Sequence, residues 1–185
     1  VVGYLKEQFS EVLKEYQGIT LIENPYYATC NNISSLYVAR DYLENAIILD
    51  GDQIIHNERI LTSEFCQSGY NSVWTSEETD EWLQTVKDGI VTACSRVGGK
   101  CGWQLYSISR WTAEDGRKLK KHLELEFEQR HHTQIYWDDI VMFCHPEEYQ
   151  LGIFEMQADD VIEIDSLDEL IDLDNSYECF REKEE

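Results

Sequence analysis

Apolar residues recur along the chain with helical spacing in some stretches and in unbroken runs in others. Leu5, Phe9, Val12, Leu13 and Tyr16 fall at i, i+4, i+7, i+8 and i+11. That is one face of a helix, so residues 4–16 are expected to be helical, with Gly18 placed to end it. Ile19-Thr20-Leu21-Ile22 predicts a short strand, and Asn24-Pro25 opens a loop. Asn32 stands as N-cap of a further helix over roughly 33–43. Ala46-Ile47-Ile48-Leu49 then runs without alternation and stops at Asp50-Gly51-Asp52. An unalternated apolar run suits a parallel strand buried on both faces. The opening third thus alternates helix, strand, helix, strand, the doubly wound pattern.

After Asp52 the pattern changes. Ile60, Leu61 and Phe65 suggest a short helix. Strands follow near 71–74, 81–86, 90–97 and 103–109. Lys87-Asp88-Gly89 makes 81–86 and 90–97 a hairpin. This is an antiparallel insertion on an α/β core. Thr112 with Asp115 opens a helix over about 113–129, with Leu119, Leu123 and Phe127 on its apolar face. Residues 135–140 begin another helix, and 151–154 and 161–164 are short strands. Asp165-Ser166 then reads as strand end and helix cap. Residues 1–177 form one domain by this reading, and 178–185 are an acidic tail with a frayed end. A sheet of this kind should start with a strand and a glycine-rich phosphate loop. Val1-Val2-Gly3 looks like the end of a strand instead, so the chain is expected to be an N-terminally incomplete version of a longer protein.

Charge narrows the partners. The 15 basic residues against 37 acidic ones give a net charge of −22, which argues against nucleic-acid binding. A small phosphate-bearing substrate stays open, because a metal can bridge it to carboxylates. No apolar run approaches a membrane span, and no signal-peptide pattern opens the chain. The six cysteines stand at 30, 66, 94, 101, 144 and 179 with no C-x-x-C pair. They read as reduced thiols of a cytoplasmic protein. His131-His132 would diverge in any regular element and read as surface residues, and His56, His122 and His145 as structural ones.

The candidate chemistry lies at strand ends. Open α/β sheets bind ligands at the carboxyl ends of their strands. Asp50, Asp52 and Asp165 sit at such ends, where a Mg²⁺ can be held by one or two carboxylates plus substrate phosphates. A solvated Asp-Gly-Asp turn is the competing reading at 50–52. Plain capping competes with nucleobase or phosphate binding at Asn32. Trp74, Trp82, Trp103, Tyr106 and Trp111 crowd the antiparallel insertion.

Gly3-Tyr4-Leu5, Asn32-Ile33-Ser34-Ser35-Leu36, Asp50-Gly51-Asp52, Glu81-Trp82, Ile108-Ser109-Arg110-Trp111, Tyr136-Trp137-Asp138 and Glu163-Ile164-Asp165-Ser166-Leu167-Asp168 occur in the order found in bacterial nucleotidyltransferases. The chain most resembles the CTP:phosphocholine cytidylyltransferases, from Gly3 to about Tyr177. The resemblance implies an α/β fold: a Rossmann-like, mostly parallel mixed sheet with an antiparallel acceptor-binding lobe. It implies an enzyme joining CTP to phosphocholine, giving CDP-choline and pyrophosphate. It also implies Asp52 and Asp165 as catalytic Mg²⁺ ligands, and Asn32, Ser34 and Asp50 at the nucleotide. Trp82, Trp111, Tyr136 and Trp137 would meet the acceptor's quaternary ammonium by cation–π contact, with Asp138 as charge partner; core packing is the alternative for each tryptophan. The family's L-x-A-G-x-G-x-R…P-K segment does not occur in these residues, and Arg110 stands where a second aromatic is expected. Acceptors such as a sugar phosphate, phosphoethanolamine or aminoethylphosphonate remain alternatives, as does a non-catalytic choline- or ligand-binding module. An open sheet edge would favour a homodimer.

Overall fold

The computed structural model describes residues 1–183; Glu184 and Glu185 of the expected tail lie outside the described residues. The fold is mixed α/β. Its main sheet runs β5-β4-β6-β3-β7, with β1 joining β6 off that path. The strands are β1 (Ala46–Ile48), β3 (Gly69–Thr79), β4 (Leu83–Lys87), β5 (Ile90–Ser95), β6 (Gly99–Trp111) and β7 (Gly152–Glu155). β3 pairs parallel with β7, and the other pairings of this sheet are antiparallel. β2 (Gln53–Ile55) and β8 (Val161–Glu163) form a separate antiparallel ribbon.

The antiparallel insertion appears as expected. Lys87 pairs with Ile90, and Asp88 and Gly89 between them both take positive φ, 52° and 79°. Such a turn matches the twist of the flanking strands. Helix α3 (Ala113–Glu124) starts where Thr112 accepts a hydrogen bond from the Asp115 amide, and it continues as a π-helical turn, Leu125–Gln129. Helix α4 (Leu167–Leu173) starts at a capping box between Ser166 and Glu169. The stretch 175–183 is a 3-10 helix that crosses the expected start of the tail at 178, and Arg181 pairs with Asp168 and Glu178.

Three local expectations are corrected. Residues 4–16 form no continuous helix, but a 3-10 turn (Lys6–Ser10) and a four-residue helix α1 (Val12–Glu15). Phe9, Leu13 and Tyr16 stay exposed, so tertiary packing does not support a longer helix. Residues 19–22 form no strand: the following Glu23 makes one bridge with Val2, flanked by 2.8 Å bonds from Val2 N to Ile22 O and from Asn24 N to Val2 O. In the 46–49 run Ala46, Ile47 and Ile48 pair antiparallel with β6 and are only half-buried, and Leu49 is exposed. Among the described residues no strand covers its other edge, so the apolar run lines a cleft. Near 60–65 a short 3-10 turn (Glu58–Leu61) forms, and helix α2 (Ile33–Val38) is followed by another at Arg40–Tyr42.

The sheet separates two apolar clusters. The larger contains Ile33, Leu36, Tyr70, Trp111, Leu119, Leu123, Trp137 and Ile140; the smaller contains Ile60, Ile108, Met156 and Val161. Ile48 leans on the first and Ile47 on the second, as strand alternation requires.

A buried ion network ties α3 to the segment that carries the candidate acceptor residues. Glu126 is fully buried. Its carboxylate meets Arg130 Nη1 at 2.6 Å, and His132 Nδ1 and His145 Nε2 at 2.7 Å each. Burial works against the charge, but the bonds to His145 and His132 and the nearby Arg130 hold its pKa below the ordinary glutamate value. His145 stacks on His122 at 3.9 Å, and His122 Nδ1 meets the Tyr149 hydroxyl at 2.7 Å. His122 and His145 are structural, as their isolation in the sequence suggests. His132 is half-exposed yet bonds a buried acid. Deleting one partner of a buried charged network costs about 3–5 kcal/mol. Because Arg130 and His132 retain contact with water, Glu126→Ala is expected to cost about 2–3 kcal/mol in urea unfolding. A loss below about 0.5 kcal/mol would show that the network does not hold this segment.

Candidate active site

Two clefts meet beside β1. The larger, about 480 Å³, is floored by residues 46–51 and walled by Leu36, Ala39, Tyr42 and Trp137. The smaller, about 220 Å³, is lined by Trp82 and Tyr136 and by four acids, Asp50, Glu81, Asp138 and Glu163, with Asn32, Leu105 and Ser107 completing it. Asn32 and Asp50 line both. One ligand in each cleft would therefore meet at Asn32 and Asp50.

The β2–β8 ribbon gathers the acids. Gln53 pairs with Glu163, and Ile164 N donates to Asp52 O at 2.9 Å. The start of one strand and the end of the other thus bring Asp52 alongside the segment carrying Asp165. Both side chains belong to exposed residues. The charges feel one another. Burial raises the pKa of Asp50, a hydrogen bond with Ser107 opposes that, and the charge of Asp52 adds to the rise. Burial likewise raises Glu163; a bond with Gln53 opposes it, and Asp52, Asp165 and Asp50 push it further up. A crowd of like charges at a cleft is what a cation relieves. The described residues contain no preformed cluster of three or more metal-binding side chains. Two exposed carboxylates such as Asp52 and Asp165 would suit Mg²⁺, which keeps waters and takes substrate phosphates as its remaining ligands.

Asp138 is the most perturbed acid of the smaller cleft. It is almost wholly buried and accepts a 2.7 Å hydrogen bond from the Tyr70 hydroxyl. Burial outweighs that bond and, with the charges of Asp50 and Asp139, lifts its pKa from 3.8 to about 8. Burial and the neighbouring Asp138 also raise the Tyr70 pKa well above its usual value, so Tyr70 remains a donor.

The residues singled out from sequence divide into groups. Asn32, Asp50, Trp82, Tyr136 and Asp138 converge on the smaller cleft. Trp137 lines the larger cleft and stacks on Tyr70 at 6.0 Å. Trp111 lies in the core, fully buried, edge-on to Tyr70, Trp137 and Tyr149, with its indole N–H donating to Ser109 at 2.9 Å. Ser34 is buried too: it donates to Asn31 O at 2.8 Å and accepts from Asn24 Nδ2 at 3.0 Å, which braces the loop before α2. Asn32 makes no side-chain cap. Its Oδ1 accepts from the Trp137 amide at 2.9 Å, which ties the start of α2 to the 136–138 segment. Arg110 replaces the expected aromatic on the other side of the sheet. It donates to Asn71 at 2.5 Å and to the carbonyls of Ile60 and Thr62, and lies 4.1 Å from the Phe154 ring centroid.

Sequence reasoning missed Glu81, Ser107 and Glu163 as lining residues. The signals were present: Glu81 adjoins Trp82, and Glu163 stands two residues before Asp165, at the last position of β8.

Comparison with known proteins accords with this geometry. No protein-family model matches the chain. The 2-aminoethylphosphonate cytidylyltransferase of Lancefieldella rimae is 33% identical over 179 residues, covering 96% of this chain and 72% of the relative. The choline-phosphate cytidylyltransferase of Streptococcus pneumoniae is 30% identical over 167 residues, covering 90% and 72%. The solved structure of a CTP:phosphocholine cytidylyltransferase from Streptococcus pneumoniae (LicC) superposes with a TM-score of 0.83 at 29% identity, over 95% of this chain and 75% of that one. A Rossmann-like mixed sheet that carries the antiparallel strands β4 and β5 at one side and this degree of identity together place the chain in the bacterial CTP:phosphocholine cytidylyltransferase family of the nucleotidyltransferase superfamily.

Proposed function

We propose that the protein transfers the cytidylyl group of CTP to phosphocholine, releasing pyrophosphate and forming CDP-choline. The observation that carries the acceptor assignment is the smaller cleft, where two aromatic rings and four carboxylates surround a space suited to a small cationic headgroup. A quaternary ammonium has no N–H to donate, so only ring faces and negative charge recognise it. The larger cleft takes the nucleotide, and Asn32 and Asp50 stand where the two substrates meet.

The chemistry is an in-line attack by a phosphocholine oxygen on the α-phosphorus of CTP. A P–O bond to the acceptor forms as the bond to the β-phosphate oxygen breaks. Positioning and charge neutralisation supply most of the catalysis. Asp52 and Asp165 would hold Mg²⁺, which supplies Lewis acidity and orients the phosphates. Asn32 fixes the Trp137 amide, Ser34 braces the loop behind it, and Asp138 faces the headgroup. An arriving cation favours ionised Asp138, offsetting the cost of its burial. Use of CTP points to work in the cytoplasm; among the described residues no helix is long and apolar enough to cross a membrane.

Aminoethylphosphonate is the second reading. Four carboxylates against two rings suit a primary ammonium, whose N–H groups need acceptors, and one of the two curated relatives above bears that name. Pyrophosphate release by the full-length protein with CTP and Mg²⁺ separates the readings, tested with phosphocholine, phosphoethanolamine, aminoethylphosphonate and glucose 1-phosphate. Phosphocholine is expected to give the highest kcat/KM and glucose 1-phosphate none above background. A preference for aminoethylphosphonate would select the second reading, and activity with the sugar phosphate alone would overturn both.

Two variants test the roles. Asp52→Ala or Asp165→Ala is expected to lower kcat at least about 100-fold with the fold retained by circular dichroism; near-normal turnover would contradict the metal assignment. Asp138 makes a prediction about pH. Its native pKa lies above its unfolded one, so native protein keeps a proton that the unfolded chain releases. The stability this group contributes is therefore present below pH 3.8 and is lost as pH rises towards about 8. Asp138→Asn still accepts from Tyr70 but cannot ionise. Its Tm should gain on the unmodified protein between about pH 5 and about pH 8; an equal difference at both pH values would contradict the assignment.

A further inference from the structure

The aromatic wall of the smaller cleft is braced from behind by one cation. Trp82 precedes β4 and Tyr136 precedes the π-helical turn Ile140–Cys144, so the two rings come from distant parts of the sequence. They meet edge-on at 5.8 Å, and Trp82 also meets Phe143 at 5.5 Å. Arg96 stands in the short connection between β5 and β6. Its Cζ lies 3.9 Å from the Phe143 ring centroid and 5.7 Å from that of Trp82. Its Nη2 is 2.5 Å from Asp139 Oδ1, and the other oxygen of Asp139 accepts from the Tyr136 amide at 3.0 Å. Arg96, Asp139, Tyr136, Trp82 and Phe143 thus form a closed circuit linking three chain segments. Arg96, Asp139 and Phe143 do not line the cleft.

The backbone places Arg96 tightly. Ser95 Oγ donates to Gly98 O at 2.7 Å, and Gly98 takes φ 69° where a Cβ would come within 1.8 Å of Thr79 O. The Asp139 side chain is 5% exposed and that of Arg96 48%. A buried carboxylate that loses its partner is strongly destabilised where it stands. Movement of Asp139 towards water releases the Tyr136 amide. A planar guanidinium also lies along rings in a way an ammonium does not.

We propose that Arg96 is a positioning residue for acceptor selectivity: through Asp139 and Phe143 it holds Trp82 and Tyr136 at the spacing that recognises a cationic headgroup. The proposal rests on the acceptor assignment above. It adds a residue that touches neither substrate and yet sets how well one of them is told from its analogues. Loosening the wall weakens ring contacts with the headgroup and leaves the nucleotide cleft and the metal-binding acids in place. The loss should therefore fall on acceptor KM and spare kcat.

The experiment is steady-state kinetics on the full-length protein, unmodified and as Arg96→Gln, Arg96→Lys and Phe143→Leu, with Tm measured for each. Arg96→Gln should raise phosphocholine KM about tenfold or more and leave CTP KM and kcat within about twofold. The preference for phosphocholine over phosphoethanolamine should shrink, and Arg96→Lys should restore only part of it. A folded Arg96→Gln protein with unchanged acceptor KM and preference would overturn the proposal, as would a parallel loss in CTP KM, acceptor KM and kcat. If Arg96→Gln does not fold, Phe143→Leu must show the same selective rise, and its absence would overturn the proposal equally. Failure of the acceptor assignment is seen separately, as an unmodified protein that does not use phosphocholine.

Discussion

Asp52 raises the cost of ionising Asp50, and Asp52, Asp165 and Asp50 together raise that of Glu163; among the described residues no cationic side chain lines the smaller cleft beside them. In a chain of net charge −22, this crowding is sustained by the β2–β8 ribbon, whose register leaves the acids at one end. The constraint shapes the rest of the site. Such a field favours an anionic substrate that arrives with a cation, and it draws a cationic headgroup to the same place. Both halves of the proposed reaction follow from that field: metal-bridged phosphate on one side, ammonium on the other.

The scaffold keeps the arrangement in place with buried polar pairs rather than apolar packing alone. Tyr70 holds Asp138, Asn32 holds the Trp137 amide, and Glu126 gathers Arg130, His132 and His145. Each contact joins the 126–145 stretch to itself, to the sheet or to the start of α2. That stretch carries the candidate acceptor residues, yet two of its turns are π-helical, a geometry often found at functional sites. Side-chain bonds with fixed partners supply the precision that such turns do not.

Much of this was legible in the residues. The hairpin at 87–90, the capped helix at 112–113 and the acids at 50, 52 and 165 were marked by local chemistry that tertiary structure did not override. The misreadings share a cause. Helical periodicity at 4–16 and the apolar run at 46–49 report what a segment would do if its neighbours covered it. Among the described residues, neither receives full cover. Trp111 and Trp137 show the opposite limit: a tryptophan motif does not tell a ring facing a ligand from one facing the core, because the residue type does not record which way its ring points. Glu126 and Arg96 were invisible for a related reason, since their partners lie on other segments and no spacing announces them.

The central claim is that the smaller cleft recognises positive charge. The most direct measurement is calorimetric binding, in the presence of Mg²⁺ and a non-reactive CTP analogue, of phosphocholine and of its neutral carbon isostere, 3,3-dimethylbutyl phosphate. The two share shape and phosphate and differ only in the charge of the headgroup. Two cation–π contacts at about 0.5–1 kcal/mol each, added to carboxylate attraction, predict a Kd at least about tenfold tighter for phosphocholine. Equal affinity would mean that the cleft reads shape alone, and the account of its rings and acids would be wrong.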